Sequence, residues 1–160
     1  MLCLAGCAFF VVQSRSWGAS GLDVGIYRDA ARAFAGGKDV YAGKYGSDGG
    51  GLPFTYPPFA LLVLLPLAAL GSKAAAVAMF AVSACALTAC VRWCQQYALP
   101  NRRIPWWTTV ALAGAGSYLV EPVRTTLGLG QINLMLLVLV LGLDARATRW
   151  GGQDRVWLRP

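Results

Sequence analysis

Two short stretches of this sequence combine groups able to move a proton with groups able to hold an anion. The first, Leu22-Asp23-Val24-Gly25-Ile26-Tyr27-Arg28, brings a carboxylate, a phenol and a guanidinium together. The second runs from Glu121-Pro122-Val123-Arg124 through Gly130-Gln131-Ile132-Asn133-Leu134 and holds a carboxylate, a guanidinium and two amides. A carboxylate within reach of an attacking hydroxyl can take its proton, and a guanidinium offers a phosphate a planar fork of donors. Each group also has a structural role open to it. Asp23 stands where a helix N-cap accepts backbone N–H bonds. Glu121 and Arg124 can neutralise one another, and Gln131 and Asn133 can bridge helices, a contact averaging about 0.6 kcal/mol within membranes. A third stretch, Leu52-Pro53-Phe54-Thr55-Tyr56-Pro57-Pro58-Phe59, adds Tyr56. The rings of Tyr27 and Tyr56 suit stacking on a ligand or anchoring at an interface equally well.

These groups stand against a hydrophobic background. Apolar residues make up 57% of the chain and charged ones 13%, a balance that excludes an ordinary soluble domain and points to an integral membrane protein. Apolar runs fall at 1–12, 59–70, 74–91, 106–120 and 134–143, several of them shorter than the roughly 20 residues of an untilted span. The first run has no basic flank and reads as a clipped spanning helix; Leu4-Ala5-Gly6-Cys7 looks like a lipoprotein box without the charged start such signals need. A charged group at the bilayer centre costs about 2.5–3.5 kcal/mol on insertion scales, so such groups sit near an interface, pair, or line a cavity.

Histidine is absent, which removes the usual general base and the usual triad partner from this chain. The five cysteines, at 3, 7, 85, 90 and 94, lie in or beside apolar runs. They read as small buried hydrophobes, including Cys90 and Cys94 one turn apart, and no metal site or disulfide framework is expected. The net charge of +7 is not gathered into a nucleic-acid-binding patch. Arg92, Arg102 and Arg103 form one group beside an apolar run, and Arg146, Arg149, Arg155 and Arg159 form another, the arrangement of cytoplasmic flanks.

With both groups inside, the turn from Glu121 to Gly130 faces outward, and so does Lys73. The run opened by Pro57-Pro58 and interrupted by Pro66 is expected to lie in the interface or re-enter it, which puts Asp23 on the same outer face as Glu121 and Arg124. The expected organisation is an all-α membrane protein: a spanning helix over 1–13, an external loop over 14–58 with a short helix at 23–36, an interfacial helix at 59–71, spans at 74–94, 106–120 and 129–143, and a cytoplasmic tail at 144–160. That is about four spanning helices with external juxtamembrane helices. Within the loop, Tyr27, Ala30, Ala31 and Phe34 share one helical face, Gly36-Gly37 ends the helix, and 43–51 reads as connector or as a lid.

Four ordered blocks carry a resemblance: Asp23-Val24-Gly25-Ile26-Tyr27-Arg28 with Ala30-Ala31; Asp39-Val40-Tyr41; Leu52 to Phe59; and Glu121 to Leu127 with Gly130 to Leu134. On these the chain resembles the actinobacterial polyprenol-phosphate-mannose-dependent alpha-mannosyltransferases, a family of C-type membrane glycosyltransferases with longer chains, whose N-terminal part it matches. The resemblance implies a C-type helical bundle whose first external loop carries a catalytic aspartate facing a cavity at the outer membrane surface. Asp23 is then the general base, and the donor is a polyprenyl-phosphate sugar, with mannose the first expectation. The acceptor is a cell-envelope glycolipid or glycan. Arg124 and then Arg28 are expected at the leaving phosphate. Glu121, Gln131 and Asn133 are expected to orient Arg124 or sugar hydroxyls, with Tyr27 and Tyr56 as substrate-binding rings. No organic cofactor is implied, and dependence on a divalent metal is left open. Membrane lipids, and no nucleic acid, complete the expected partners at the plasma membrane. Two rival readings are a truncated, non-catalytic chain and a lipid-binding or transport subunit in which Glu121 and Arg124 line a path.

Overall fold

The computed structural model describes residues 21–46, 51–99 and 102–150, with side chains described as far as residue 144. The expected span over 1–13, Cys3 and Cys7, and residues 151–160 of the expected tail lie outside the described residues.

Helix α1, Leu22–Ala35, buries Val24, Ile26, Tyr27, Ala30 and Ala31 on one side, the stripe expected from a 3.6-residue period. It closes with a Schellman motif. Gly37 adopts φ 71° and donates its N–H to the Phe34 carbonyl, and Lys38 donates to Ala33, so two carbonyls at the helix end are satisfied. The expected helix at 23–36 is therefore present. The segment after it departs from the all-α expectation: Lys44–Tyr45 (β1) and Leu52–Pro53 (β2) pair antiparallel, Lys44 opposite Pro53 and Tyr45 opposite Leu52.

Pro57-Pro58 then opens α2, Pro58–Leu64, which passes directly into a 3₁₀ turn, Leu65–Ala69. Pro66 lacks an N–H and clashes with a continuing α-helix, so the tighter turn follows from its position. Leu61, Leu64 and Leu67 are buried, while Phe59, Leu62 and Val63 are exposed. The pair of segments is about 20 Å long by helical rise. That falls well short of the roughly 30 Å hydrocarbon core.

Helix α3, Ser72–Ala98, has 27 residues, about 40 Å of rise. Among the described residues it is the one helix long and apolar enough to cross a membrane by itself. Its inner stripe is Ala75, Met79, Ser83, Ala86, Leu87 and Cys90, and its outer surface is also apolar, with Val77 and Val82 exposed. Cys85, Cys90 and Cys94 are free thiols. At its end Arg92 donates to the Ile104 carbonyl at 3.0 Å and lies over the Trp106 ring, and Thr109 donates to Gln95 at 2.6 Å. These contacts fasten α3 to α4, Trp106–Leu119.

A single residue, Val120, separates α4 from α5, Glu121–Leu129, so the expected turn over 121–130 is a helix. Pro122 in its first turn is the reason, because a fixed φ and a missing N–H suit a helix start. Gly130 ends α5, and α6, Asn133–Trp150, leaves at 115° to it. The helix expected over 129–143 thus begins at 133 and runs into the segment expected as tail. Taken together, α5 and α6 have the length and apolarity of a broken span or a re-entrant loop. One buried cluster joins α1, Val40, Phe54, α2 with its 3₁₀ turn and the first turns of α3 to Ile132; a second joins α3, α4, α5 and α6 through Ala86, Leu87, Ala113, Leu127 and Leu134.

Candidate functional site

The start of α1 is seated on the corner between α5 and α6. Gly21 donates its N–H to the Gly128 carbonyl at 3.2 Å. Gly130 adopts φ 72°, and a β-carbon there would overlap Cγ2 of Val24. Glycine at this position serves two ends at once: it closes α5 with Gly130 N–H to Leu127 and Gln131 N–H to Thr126, and it lets α1 approach. The two chemistry-bearing stretches, a hundred residues apart in sequence, therefore adjoin.

Asp23 is the second residue of α1. The structural alternative of an N-cap is not the role it takes, because Gly21, at φ 63°, occupies the cap position and there is no side-chain cap bond. The carboxylate lies in the first turn, where the helix dipole favours a negative side chain. Helical stride places Asp23 at the head of the stripe that continues through Tyr27 and Ala30, so it is on the core-facing side of α1. It is half-buried. Among the described residues its carboxylate has no cation partner and no side-chain hydrogen bond.

Tyr27 is 2% exposed, which corrects the expectation of a ring offered to a ligand: its place in the buried stripe puts it in the core. Its hydroxyl lies 3.0 Å from that of Tyr56, and the two rings meet edge to face at 5.5 Å. Burial, first, pushes the Tyr27 phenol far above its ordinary range; the Tyr56 hydroxyl and the Asp23 carboxylate add to the rise, and the backbone N–H of Ile132 opposes it. Tyr27 is neutral at physiological pH.

Tyr56 is half-buried. Its carbonyl accepts a bond from the Tyr41 hydroxyl at 2.9 Å, and Phe54 packs between the Tyr41 and Tyr56 rings. Tyr41 was not among the expected site residues, although it belongs to the Asp39-Val40-Tyr41 block. Asp39 accepts the Tyr41 N–H at 2.9 Å, a local turn that aims the ring back at Tyr56.

Arg28 points elsewhere. It sits about 140° around α1 from Asp23 and binds Asp29 through Nη2 at 2.8 Å and Nε at 3.0 Å. Arg32, one turn further along α1, donates to the carbonyls of Ala68 at 2.8 Å and Leu70 at 2.9 Å. It ties α1 to the end of the 3₁₀ turn.

On α5, Arg124 forms an i,i+3 ion pair with Glu121, which also accepts a bond from Thr125 at 3.1 Å. Arg124 lies one turn before Gly128 on the same face, so it is close to the corner. Gln131 Oε1 accepts from Asn133 at 2.9 Å, fixing the two amides to each other. The structure thus gathers Asp23, Tyr27, Tyr56, Gln131 and Asn133 about the corner, with Glu121 and Arg124 a turn away. Arg28 is left outside that group. A groove of about 490 Å³ on the other side of α1, lined by Asp29, Arg32, Lys38, Asp39 and Tyr45 among others, takes in none of the expected residues. Among the described residues no three Asp, Glu, Cys or His side chains come together as a metal site.

Residues 54–159 match the sequence pattern of glycosyltransferase family 87. This chain belongs to glycosyltransferase family 87. The family consists of membrane enzymes. Its matched segment takes in Tyr56 and the whole α5–α6 corner and begins after Asp23. The chain is 33% identical, over 92% of its residues, to the polyprenol-phosphate-mannose-dependent alpha-(1-2)-phosphatidylinositol mannoside mannosyltransferase of Mycobacterium tuberculosis. The protein of that name in Mycolicibacterium smegmatis is 30% identical over 81% of the chain. A polyprenol-phosphate-mannose-dependent alpha-(1-2)-phosphatidylinositol pentamannoside mannosyltransferase from the same organism is 33% identical over 83%. The chain spans 38% of the length of the first of these relatives and 32% of each of the other two. No solved structure matches it.

Proposed function

We propose that this chain carries the reaction centre of a mannosyltransferase that moves mannose from a polyprenyl-phosphate donor to a glycolipid acceptor of the phosphatidylinositol mannoside class, on the outer face of the plasma membrane. The observation that carries the reading is the seating of the Asp23 turn on the α5–α6 corner, through Gly21 to Gly128 and Gly130 against Val24. Membership of the family and the names of the relatives supply the substrate class.

In this reading the acceptor hydroxyl attacks the anomeric carbon of the lipid-linked sugar, and Asp23 accepts the proton the hydroxyl loses, a contribution of about 10²- to 10⁴-fold. The bond to the phosphate breaks, and the phosphate leaves as a stable anion. It needs cationic donors to meet its growing charge and no acid to protonate it. Arg124 serves that role by exchanging Glu121 for the phosphate, a rearrangement open to an exposed i,i+3 pair of small net worth. Arg28 is the second candidate and has to leave Asp29 first. Gln131 and Asn133 orient sugar hydroxyls at the corner.

The placement in the membrane follows from the same physics. With α3 as a span and Arg92, Arg102 and Arg103 on the cytoplasmic side, Lys73 and the α1 region lie outside. The exposed apolar side of α2, Phe59, Leu62 and Val63, then rests in the outer leaflet boundary, and the broken α5–α6 pair supplies a further crossing of a proposed bundle of about four spans. The polyprenyl chain stays in the bilayer while its sugar-phosphate head reaches the corner.

The test is donor dependence. Membranes containing the full chain, given radiolabelled mannose on polyprenyl phosphate and phosphatidylinositol mannoside vesicles, are expected to label the glycolipid. Labelling from a nucleotide-linked mannose instead, with synthesis of the lipid-linked donor blocked, contradicts the reading.

A further inference from the structure

Two phenols at the site share one hydrogen bond between them, and a single bond uses only one of their two protons. The Tyr27 and Tyr56 oxygens are 3.0 Å apart, and the backbone N–H of Ile132, at the α5–α6 corner, acts on the Tyr27 oxygen. Tyr27 is 2% exposed, so if Tyr56 were the donor, the Tyr27 proton would be left in the core without an acceptor, a penalty of the size of a lost buried bond. Tyr27 must therefore donate to Tyr56. The Tyr56 proton is then the one left over, and among the described residues it has no acceptor besides the Tyr27 oxygen. Tyr56 is the half-buried member of the pair, and Phe54 and the Tyr41 hydroxyl hold its ring and its carbonyl in place. The relay is thus oriented from the corner outward, with a fixed O–H donor at its open end.

We propose that Tyr56 donates this proton in a hydrogen bond to an oxygen of the donor's sugar-phosphate head, and that Tyr27 is a positioning residue that sets the direction of that bond. The inference rests on the glycosyltransfer reading. It assigns Tyr56 by its hydroxyl, where a stacked ring is the other use of a tyrosine beside sugar. The phosphate side of the reaction is the fitting acceptor: a neutral O–H complements an anion, whereas the attacking hydroxyl is the partner of Asp23. The neighbouring Asp23 carboxylate also disfavours ionisation of Tyr27, which keeps the relay in its donating form.

Kinetics of the full chain in membranes, with polyprenyl-phosphate mannose and phosphatidylinositol mannoside each varied in turn, test the relay. Tyr56→Phe is expected to raise KM for the polyprenyl-phosphate sugar roughly 10- to 100-fold, the range for a hydrogen bond to a charged group, and to leave KM for the acceptor unchanged. Tyr27→Phe is expected to move the same KM in the same direction. The double variant should be no worse than Tyr56→Phe alone, because the two hydroxyls act in series. Unchanged donor KM in Tyr56→Phe, or independent multiplicative losses in the double variant, overturns the relay. So does a Tyr56→Phe chain that melts at lower temperature with wild-type kinetics, since the pair would then be structural. If Tyr27→Phe does not fold, Tyr56→Phe alone decides. Should the wild-type chain transfer nothing from this donor, the functional reading falls and the relay with it; wild-type transfer with an unmoved donor KM in Tyr56→Phe removes the relay only.

Discussion

At the scale of single residues, position on a helix decides which polar groups are available. Asp23, Tyr27 and Arg28 lie within six residues, yet Asp23 heads the core-facing stripe, Tyr27 is inside it, and Arg28 is turned aside onto Asp29. The burial of Tyr27 has a measurable consequence. Its folded pKa is raised above the ordinary 10.0, chiefly by desolvation. Below about pH 10 the phenol is protonated whether the chain is folded or not, and its contribution to stability is fully present. Above that pH the unfolded chain loses the proton more readily than the folded one, so stability falls as pH rises, by at most about 1.4 kcal/mol per pH unit from this group. Melting temperatures of detergent-solubilised protein from pH 8 to 11 are expected to show a loss above pH 10 that is smaller in Tyr27→Phe. The stripe of α1 was legible in the sequence from its period. The ring of Tyr27 as a buried strut was not, because nothing local distinguishes a tyrosine that stacks on a ligand from one that hydrogen-bonds to Tyr56 29 residues away.

At the scale of elements, the site depends on one close approach. Gly130 in its left-handed conformation closes α5 and admits Val24 of α1. Gly130→Ala is expected to cost about 1–3 kcal/mol for the backbone strain alone, with a further loss from overlap with Val24. In a Val24→Ala background the same substitution should cost less, since the offending methyl is gone. Urea or thermal unfolding of the four variants measures that coupling; equal costs in both backgrounds contradict the packing described. Gly-Gln-Ile-Asn was visible in the sequence as a polar interruption of an apolar region, but its neighbour was not, because the contact spans about a hundred residues. Glu121 to Leu129 was expected as a turn because its charged and hydroxyl groups and its proline interrupt the apolar runs, while Pro122 in the first turn and the buried Thr126 and Leu127 make it a helix. The short helix opened by Pro57-Pro58, by contrast, was legible from its prolines, although its change to a 3₁₀ turn at Leu65–Ala69 was not expected.

At the scale of the whole molecule, α3 sets the frame. Its 27 residues rise about 40 Å, more than the roughly 30 Å of hydrocarbon, so with α3 as the proposed span Lys73 and Arg102, both exposed, fall on opposite sides. Single cysteines at these two positions are expected to differ: a membrane-impermeant maleimide added to intact cells should label Lys73→Cys and spare Arg102→Cys. The reverse pattern inverts the orientation and puts the α5–α6 corner inside. The membrane character was readable from composition and the outward Asp23 loop is proposed from arginine placement, whereas the meeting of α1 with the corner required the folded chain. The Asp23 carboxylate is the proposed base at that corner. The rate of mannose transfer from polyprenyl phosphate by full-chain Asp23→Asn tests it most directly, since Asp23 makes no cap bond and its loss removes only a first-turn charge, worth about 0.3–1 kcal/mol. The expected result is normal membrane insertion and melting, with transfer reduced by about 10²-fold or more; transfer at the wild-type rate contradicts the account.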